Sequence, residues 1–539
     1  MKKILYFLCG LALTGCINDV ENINPQQTTE LDADALFSKV YATFVLTGQE
    51  GPSNSGDLIN MDEGRSQYTR MIWNLNELTS DEAHWHWYMN DTGYDDLVAN
   101  SYGADNAVSQ GFFYRTFFNI TLCNLYLKNV ENTSEETAKR RAEVRFIRAY
   151  NYYNVMDLFG NGPFSEEFEM GQTAPYYTRD QYFAFLEKEL KELAGEGSGK
   201  EVLEDDGASN YGRVKKSAAL LLLSRLYLNA EVYTGTARWA EAKEYASKVM
   251  NSSYYKLCTA GKGGYTAYQL LFLADNNENG AQYEAIFPIL HDGLTTKSYG
   301  GMHALILSCY SNNDAMGTDI PSGTDNNWGK CAFIRGTLAD IFFGVGTDAN
   351  TKDFTTCEQA TSFANDDRAL IYTKGYARYS TSPSDQQQGY ACAKFRNVRS
   401  DGRNTSTNDG YVDTDQPLMR MAEAYLNYAE ADARMNGGVT TADGAAKINA
   451  LRTRANANAY AQSYSLADIR NEWAKEFWFE GRRRMDLVRF GAYAGQSDYK
   501  WDWMSGTQNG NQFAAFRNIY GIPSAELTNN ANIKQNAGY

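Results

Sequence analysis

Three stretches of this 539-residue chain hold residue types at spacings that carry chemistry. The first is Leu13-Thr14-Gly15-Cys16, where small residues precede a cysteine directly after an apolar leader. That order is a lipobox, in which the leader is cleaved and the thiol of Cys16 is acylated. The second is Trp85-His86-Trp87, a pair of tryptophans on one face of a strand with His84 and His86 on the other. A Trp ring covers the apolar C–H face of a pyranose, while Asp, Asn and Arg reach its rim hydroxyls. The third is Asp275-Asn276-Asn277-Glu278-Asn279-Gly280, which reproduces the first half of a calcium loop. Asp275, Asn277 and Asn279 are its candidate ligands. Position twelve is Ile286 rather than Glu, although Glu284 lies nearby, so a polar surface turn is the leading reading and calcium the alternative.

Other chemistries lack their signatures. There is no GxSxG, zinc motif or P-loop. Cys123, Cys258, Cys309, Cys331, Cys357 and Cys392 have neither CxxC spacing nor a nearby His, so they read mainly as buried thiols, with one or two disulfides left open. His84 and His86 have no third metal ligand in sight. A formal net charge of −16 weighs against nucleic acid and anionic lipid headgroups as partners. The 38 Tyr, 26 Phe and 9 Trp supply many flat rings, most of them helix-packing core and a few of them candidate sugar platforms.

Several elements must position these groups. Lys2, Lys3 and the apolar run Ile4 to Leu13 form a leader too short to span a bilayer. Acylation at Cys16 then gives a lasting anchor, at about 0.8 kcal/mol per buried methylene. We read 1–15 as signal peptide and 16–30 as a polar tether. Helical periodicity starts at Glu135, with Ala142, Phe146, Ala149, Tyr150, Tyr153 and Met156 on one face and a stop at Asn161-Gly162-Pro163. Ser217 to Val232 and the segment from Trp239 to Val249 resemble a tetratricopeptide hairpin. Gln416 to Met435 and Leu466 to Phe490 read as two further helices. Residues 251–410 and the loop 48–112 are rich in Gly, Asn, Asp, Ser and Thr, and long loops of that kind usually carry function. The expectation is a mainly α protein. Its helical-hairpin scaffold is built from 31–250 and 411–539, around a loop-rich region with small strands at 251–410.

Several of these stretches resemble the SusD/RagB family. They include Arg141 to Ala149 followed by Asp157-Leu158-Phe159-Gly160, Arg225 to Ala230, and Ala422-Glu423-Ala424-Tyr425 with Ala429-Glu430-Ala431. Glu476 to Arg484 running into Asp486 to Gly491, and the end from Ile522 to Tyr539, complete the set. The resemblance runs from the lipobox to the last residue. It implies a tetratricopeptide scaffold, an outer-membrane lipid anchor at the cell surface, and glycan capture beside a SusC-type TonB-dependent barrel transporter.

The loops resemble the family's starch-binding member more narrowly. Asp62, Arg70, Trp85 and Asn90 match its glycan-contacting residues at the same spacings, and Tyr299 and Trp328 match its contacting Tyr and Trp. The stretches 309–326 and 345–395 align poorly, so loop shape and preferred ligand length are not carried over. The same member holds calcium, which keeps an ion at Asp275, Asn277 and Asn279 as the alternative to a surface turn. An arc of three rings suits the curve of an α-1,4-glucan better than a flat cellulose chain. Each stack is worth about 1 kcal/mol, giving roughly millimolar to tens of micromolar affinity. The expected function is non-catalytic capture of starch or maltooligosaccharides. Another polysaccharide, a surface glycosidase and a pure transporter cap are the competing readings. The run Arg482-Arg483-Arg484 is expected to pair with acidic helices.

Overall fold

The computed structural model describes residues 31–539, apart from 53–54, 60, 87–90, 170, 313–314, 347–351, 383, 386, 408–410 and 458–459. The signal, tether and lipidation expectations for residues 1–30, Cys16 included, lie outside the described residues, as do Trp87 and Asn90.

Most described elements are helices. We label α1 (Ala33–Ala42), α2 (Tyr68–Glu77), α3 (Ala107–Asn129), α4 (Glu135–Phe159), α5 (Arg179–Leu193), α6 (Lys216–Leu228) and α7 (Trp239–Met250). Further on come α8 (Gly301–Cys309), α9 (Gly336–Phe343), α10 (Met421–Met435), α11 (Ala442–Arg454), α12 (Leu466–Phe477) and α13 (Arg483–Arg489). Shorter helices are left unlabelled. Among the described helices, none is long and apolar enough to cross a membrane.

Local chemistry sets the helix ends. Ser134 and Thr137 form a capping box at the start of α4, and Gly160 at φ 76° ends it. Thr178 with Gln181 and Ser465 with Asp468 do the same for α5 and α12. Helices α3 to α7 pack each on the next, and α7 then packs on α10, which joins α11 and α12. One scaffold is thus assembled from both halves of the chain. The α4 residues named above, from Ala142 to Met156, are all buried in its core.

Four small strands matter here: β1 (Ala83–Trp85), β2 (Ala285–Ile289), β3 (Ala332–Ile334) and β4 (Gln416–Arg420). β1 pairs antiparallel with β3, and β2 with β4. Three helix expectations are corrected. Gln416 to Arg420 is the strand β4, because it pairs with β2, and helix α10 begins only at Met421. Residues 217–232 break at Asn229 between α6 and a second short helix, Ala230–Thr234. Leu466 to Phe490 is two helices, separated where Phe479 (φ 61°) and Gly481 (φ 78°) turn left-handed.

That last break has a cause. It turns the Phe479 amide towards Glu82 (3.0 Å) and the Arg482 amide towards Glu77 (2.8 Å), satisfying two buried carboxylates. The arginine run is structural, as expected: Arg482 pairs with Asp486 (3.0 Å), Arg483 with Asp81 (2.7 Å), and Arg484 donates to the carbonyl of Asn518 (2.8 Å).

A buried ionic network joins the loop region to the C-terminal helices. Arg420 meets Glu476 (2.6 Å), Glu480 (2.8 Å) and Glu284 (3.0 Å). Arg368 meets Asp366 (2.8 Å), Glu472 (2.7 Å) and Glu476 (3.2 Å). Burial raises the Glu476 carboxyl, but Arg454, Arg420 and Arg368 outweigh it and hold the group at about 2. The thiols of Cys123, Cys258, Cys309, Cys331 and Cys392 are buried and that of Cys357 is half-buried; none of the six is disulfide-bonded.

Candidate functional site

Helix α8 organises the site. Tyr299 stands just before its first turn, and Trp328 returns to its last, donating its amide to the Leu307 carbonyl (2.8 Å). Between them, His303 lies 5.4 Å from the Tyr299 ring and 5.9 Å from the Trp328 ring. Tyr411 stacks on His303 at 4.9 Å and 25°. Tyr299 is 36% exposed and Trp328 is half-buried, whereas His303 is buried. The result is a short aromatic row whose two ends reach the surface.

Arg70, on α2, ties this row to the N-terminal segment. Its Nη1 donates to the Tyr299 carbonyl (2.8 Å), its Nε to the Tyr94 hydroxyl (3.3 Å), and its guanidinium lies 5.3 Å from the Trp328 ring centre. Gln67 makes the same junction: its Oε1 accepts from the amides of Arg70 (2.6 Å) and Gly301 (2.9 Å). The close approach requires glycine. A Cβ at Gly64 would fall 2.5 Å from Tyr299 Cβ, and one at Gly300 would fall 2.1 Å from Gln67 Cβ. His291 holds α8 from the other side. Its Nε2 accepts from the Met302 amide (3.3 Å), so Nδ1 carries the proton and donates to the Ile289 carbonyl (3.0 Å). Burial keeps this imidazole neutral by lowering its pKa to about 4.

The structure thus brings together Arg70, Tyr299 and Trp328. Asp62 is exposed at the turn before α2 and accepts the Arg65 amide (3.0 Å). Trp85 is corrected. It is 3% exposed, packs edge-on against Trp73 (6.4 Å) and Tyr94 (5.2 Å), and donates its indole N–H to Asp91 (2.8 Å). Strand β1 is buried on both faces: His84, 1% exposed, lies beside its β3 partner Phe333 (4.8 Å), and Trp85 faces α2. The cavity beside Trp85 measures about 20 Å³, room for one water and not for a sugar. Trp85 therefore forms the floor beneath the row. Asp91, which it anchors, also pairs with Arg65 (2.9 Å).

Gln67, His303 and Tyr411 were missed by the sequence reading. The doublet Gly300-Gly301 beside Tyr299 was the signal for the first, because paired glycines mark close backbone approach. His303 follows Tyr299 by one helical turn, but nothing local points to Tyr411.

The segment Asp275 to Gly280 is tied into the fold by hydrogen bonds. Asp275 is fully buried and accepts from the Ser400 hydroxyl (2.6 Å) and amide (3.1 Å) and from Asn279 Nδ2 (3.2 Å). Asn279 thus turns its N–H, not its oxygen, towards Asp275, and its Oδ1 accepts from the Ala281 amide (3.0 Å). Asn277 is exposed, and Glu284 is committed to Arg420 and Arg454. Among the described residues, no group of three His, Cys, Asp or Glu side chains is placed to hold a metal. The segment is a structural turn fastened to Ser400.

Acid–base hydrolysis needs two carboxyls with separated pKa values and access to substrate. Glu82 has a raised pKa, from burial and from the adjacent Glu77. Both are completely shut off from solvent and bonded to backbone amides, so this pair serves the fold.

Fold and site together define a helical-scaffold protein that presents aromatic and polar side chains on surface loops. The SusD family profile matches residues 337–539, and a profile described as "Starch-binding associating with outer membrane" matches residues 54–228. The chain is 38% identical to the starch-binding protein SusD of Bacteroides thetaiotaomicron, over 98% of this chain and 96% of that one. This chain belongs to the SusD family. Among solved structures, it is similar to a SusD-like carbohydrate-binding protein of Bacteroides fragilis (TM-score 0.68, 18% identity, 93% of this chain and 98% of that one). It is also similar to surface glycan-binding protein A of Bacteroides thetaiotaomicron in complex with laminarihexaose (TM-score 0.63, 17% identity, 94% and 98%). At those identities the likeness is one of fold.

Proposed function

We propose that this chain is a non-catalytic, surface-anchored lipoprotein that captures starch or maltooligosaccharides. In this reading it passes them to a SusC-type TonB-dependent transporter. The observation that carries the glycan part is the Arg70 junction, which fixes Tyr299 and Trp328 as two partly exposed rings on one rigid support. Rings held in place lose little entropy when a sugar stacks on them. Asp62 supplies an exposed polar group and Arg70 a charged one behind the rings, and Asn90 is a further proposed contact. Two stacks at about 1 kcal/mol each give weak binding, which repetition along a polymer strengthens. The relative that is 38% identical over nearly the whole chain is named for starch binding, and that supports starch as the glycan. The relative's name, which is one of binding, supports capture without hydrolysis.

A second reading, a β-1,3-glucan ligand, is favoured by one observation: a protein of this fold was solved with laminarihexaose. Affinity electrophoresis against a panel of soluble glycans separates the two. Retardation in amylopectin but not laminarin is expected; the reverse assigns the other ligand. No retardation in any glycan, together with no release of reducing sugar, leaves only the transporter-cap role.

A further inference from the structure

We propose that Tyr379 and Trp503 form a second sugar-stacking surface, separate from the Tyr299–Trp328 row. It rests on the glycan-binding reading above and extends it to a second contact on the same polymer.

Tyr379 is 38% exposed, yet it is held at its hydroxyl and along its ring. Its hydroxyl donates to Asp340 Oδ1 (2.5 Å), a carboxylate that Arg378 also grips from a buried position. Its ring lies across Gly336, the first residue of α9, where a Cβ would fall 2.2 Å from Tyr379 Cδ1. Glycine there lets the ring approach the backbone closely.

Trp503 is fastened to the same support. Its indole N–H donates to the carbonyl of Ser380 (2.7 Å), the residue after Tyr379, and its ring remains half-buried. Its neighbour Asp502 caps α9, accepting from the amides of Gly336 (3.1 Å) and Thr337 (3.0 Å). Trp503 itself has φ 62°, a left-handed conformation that a bulky residue adopts only when its surroundings impose it. Val345, two residues beyond α9, is 81% exposed and adds apolar surface beside Arg378, which bonds the Gly344 carbonyl (2.8 Å).

Two aromatic side chains with tethered polar atoms and partly open rings suit a neutral pyranose, whose apolar face they cover. Asp340, partly open at the edge, is placed for its hydroxyls, with Arg378 holding it from beneath. A single stack of this kind is weak, so its effect is felt on a polymer that also occupies the first row.

The test uses the full chain. Affinity electrophoresis in amylopectin and titration with a short maltooligosaccharide are run on the wild type, Tyr379→Ala, Tyr379→Phe and Trp328→Ala. Tyr379→Ala is expected to lose about fivefold in polymer retention, with the oligosaccharide affinity of the first row unchanged. Tyr379→Phe keeps the ring and is expected to stay near wild type. Oxidative footprinting of the wild type is expected to show Tyr379 protected by amylopectin, a readout independent of whether the Ala variant folds. Wild-type retention by Tyr379→Ala, or a fully reactive Tyr379 in the presence of bound polymer, overturns the second surface while leaving the first intact. A wild type that binds no glycan overturns both readings.

Discussion

The guanidinium of Arg70 donates to the carbonyl of Tyr299, 229 residues further along the chain, at 2.8 Å. The same group lies against Trp328. One side chain therefore sets the relative position of the two partly exposed rings, and what it supports divides cleanly from what is buried beneath it.

Trp328→Ala is expected to weaken glycan binding by about 1 kcal/mol or more. At an affinity this low, retention in an amylopectin gel nearly disappears. The melting temperature should stay within a degree or two, because Trp328 stands on a loop at the surface. Intact retention, or a collapsed melt, would sink the assignment.

Trp85→Ala should do the opposite. The ring is packed under the site and its N–H is bonded to Asp91, so its loss costs about 3–5 kcal/mol of stability. Chemical denaturation measures this directly. An unchanged denaturation midpoint with lost retention would restore Trp85 to the ligand surface.

Glu476→Gln tests the buried network. The carboxylate sits between Arg368, Arg420 and Arg454, and removing its charge leaves three buried guanidinium groups under-compensated. A loss of about 3–5 kcal/mol is expected. Because the folded pKa is depressed to about 2, the stabilisation is present above the ordinary glutamate pKa and is lost as pH falls towards 2.

Asp415 gives a pH dependence of the other sign. Burial pushes its carboxyl up to about 7, against the opposing bonds from the His291 amide and Tyr211. The folded state therefore holds a proton that the unfolded chain releases near the ordinary aspartate value. Stability from this group is full below that value and is lost as pH rises to about 7, by about 2–4 kcal/mol. Asp415→Asn should match wild type near pH 3.5 and exceed it increasingly up to pH 8 in urea denaturation. Equal midpoints at both pH values would refute the shift.

Cys16→Ala is expected to release the protein from the membrane fraction, since the lipobox cysteine is the proposed acylation site. Wild type should sediment with membranes after a carbonate wash and co-purify in detergent with a large β-barrel. Sedimentation of the Ala variant would count against the anchor.

Much of the architecture follows from signals between near neighbours in the chain. The Ser134 capping box, the 3.6-residue periodicity of α4 and the left-handed Gly160 set one long helix without reference to anything distant. The family motifs run through the same helices, so the scaffold and the site loops were legible together. Tertiary structure decided the rest, because pairing across long separations overrides local preference. Residues 416–420 continue a helical pattern, yet they form a strand because β2 is there to pair with them. Leu466 to Phe490 reads as one helix, yet it breaks because two buried carboxylates, Glu77 and Glu82, need the amides of Arg482 and Phe479. Alternation placed Trp85 and His84 on opposite faces of β1, and they are. Which face meets solvent is not a property of the strand: α2 covers Trp85, and His84 is buried with Trp503 packed near it, so neither does. Resemblance to the family's starch-binding member nominated Arg70, Tyr299 and Trp328. Only the fold, by closing a contact across 229 residues, brought them to one place.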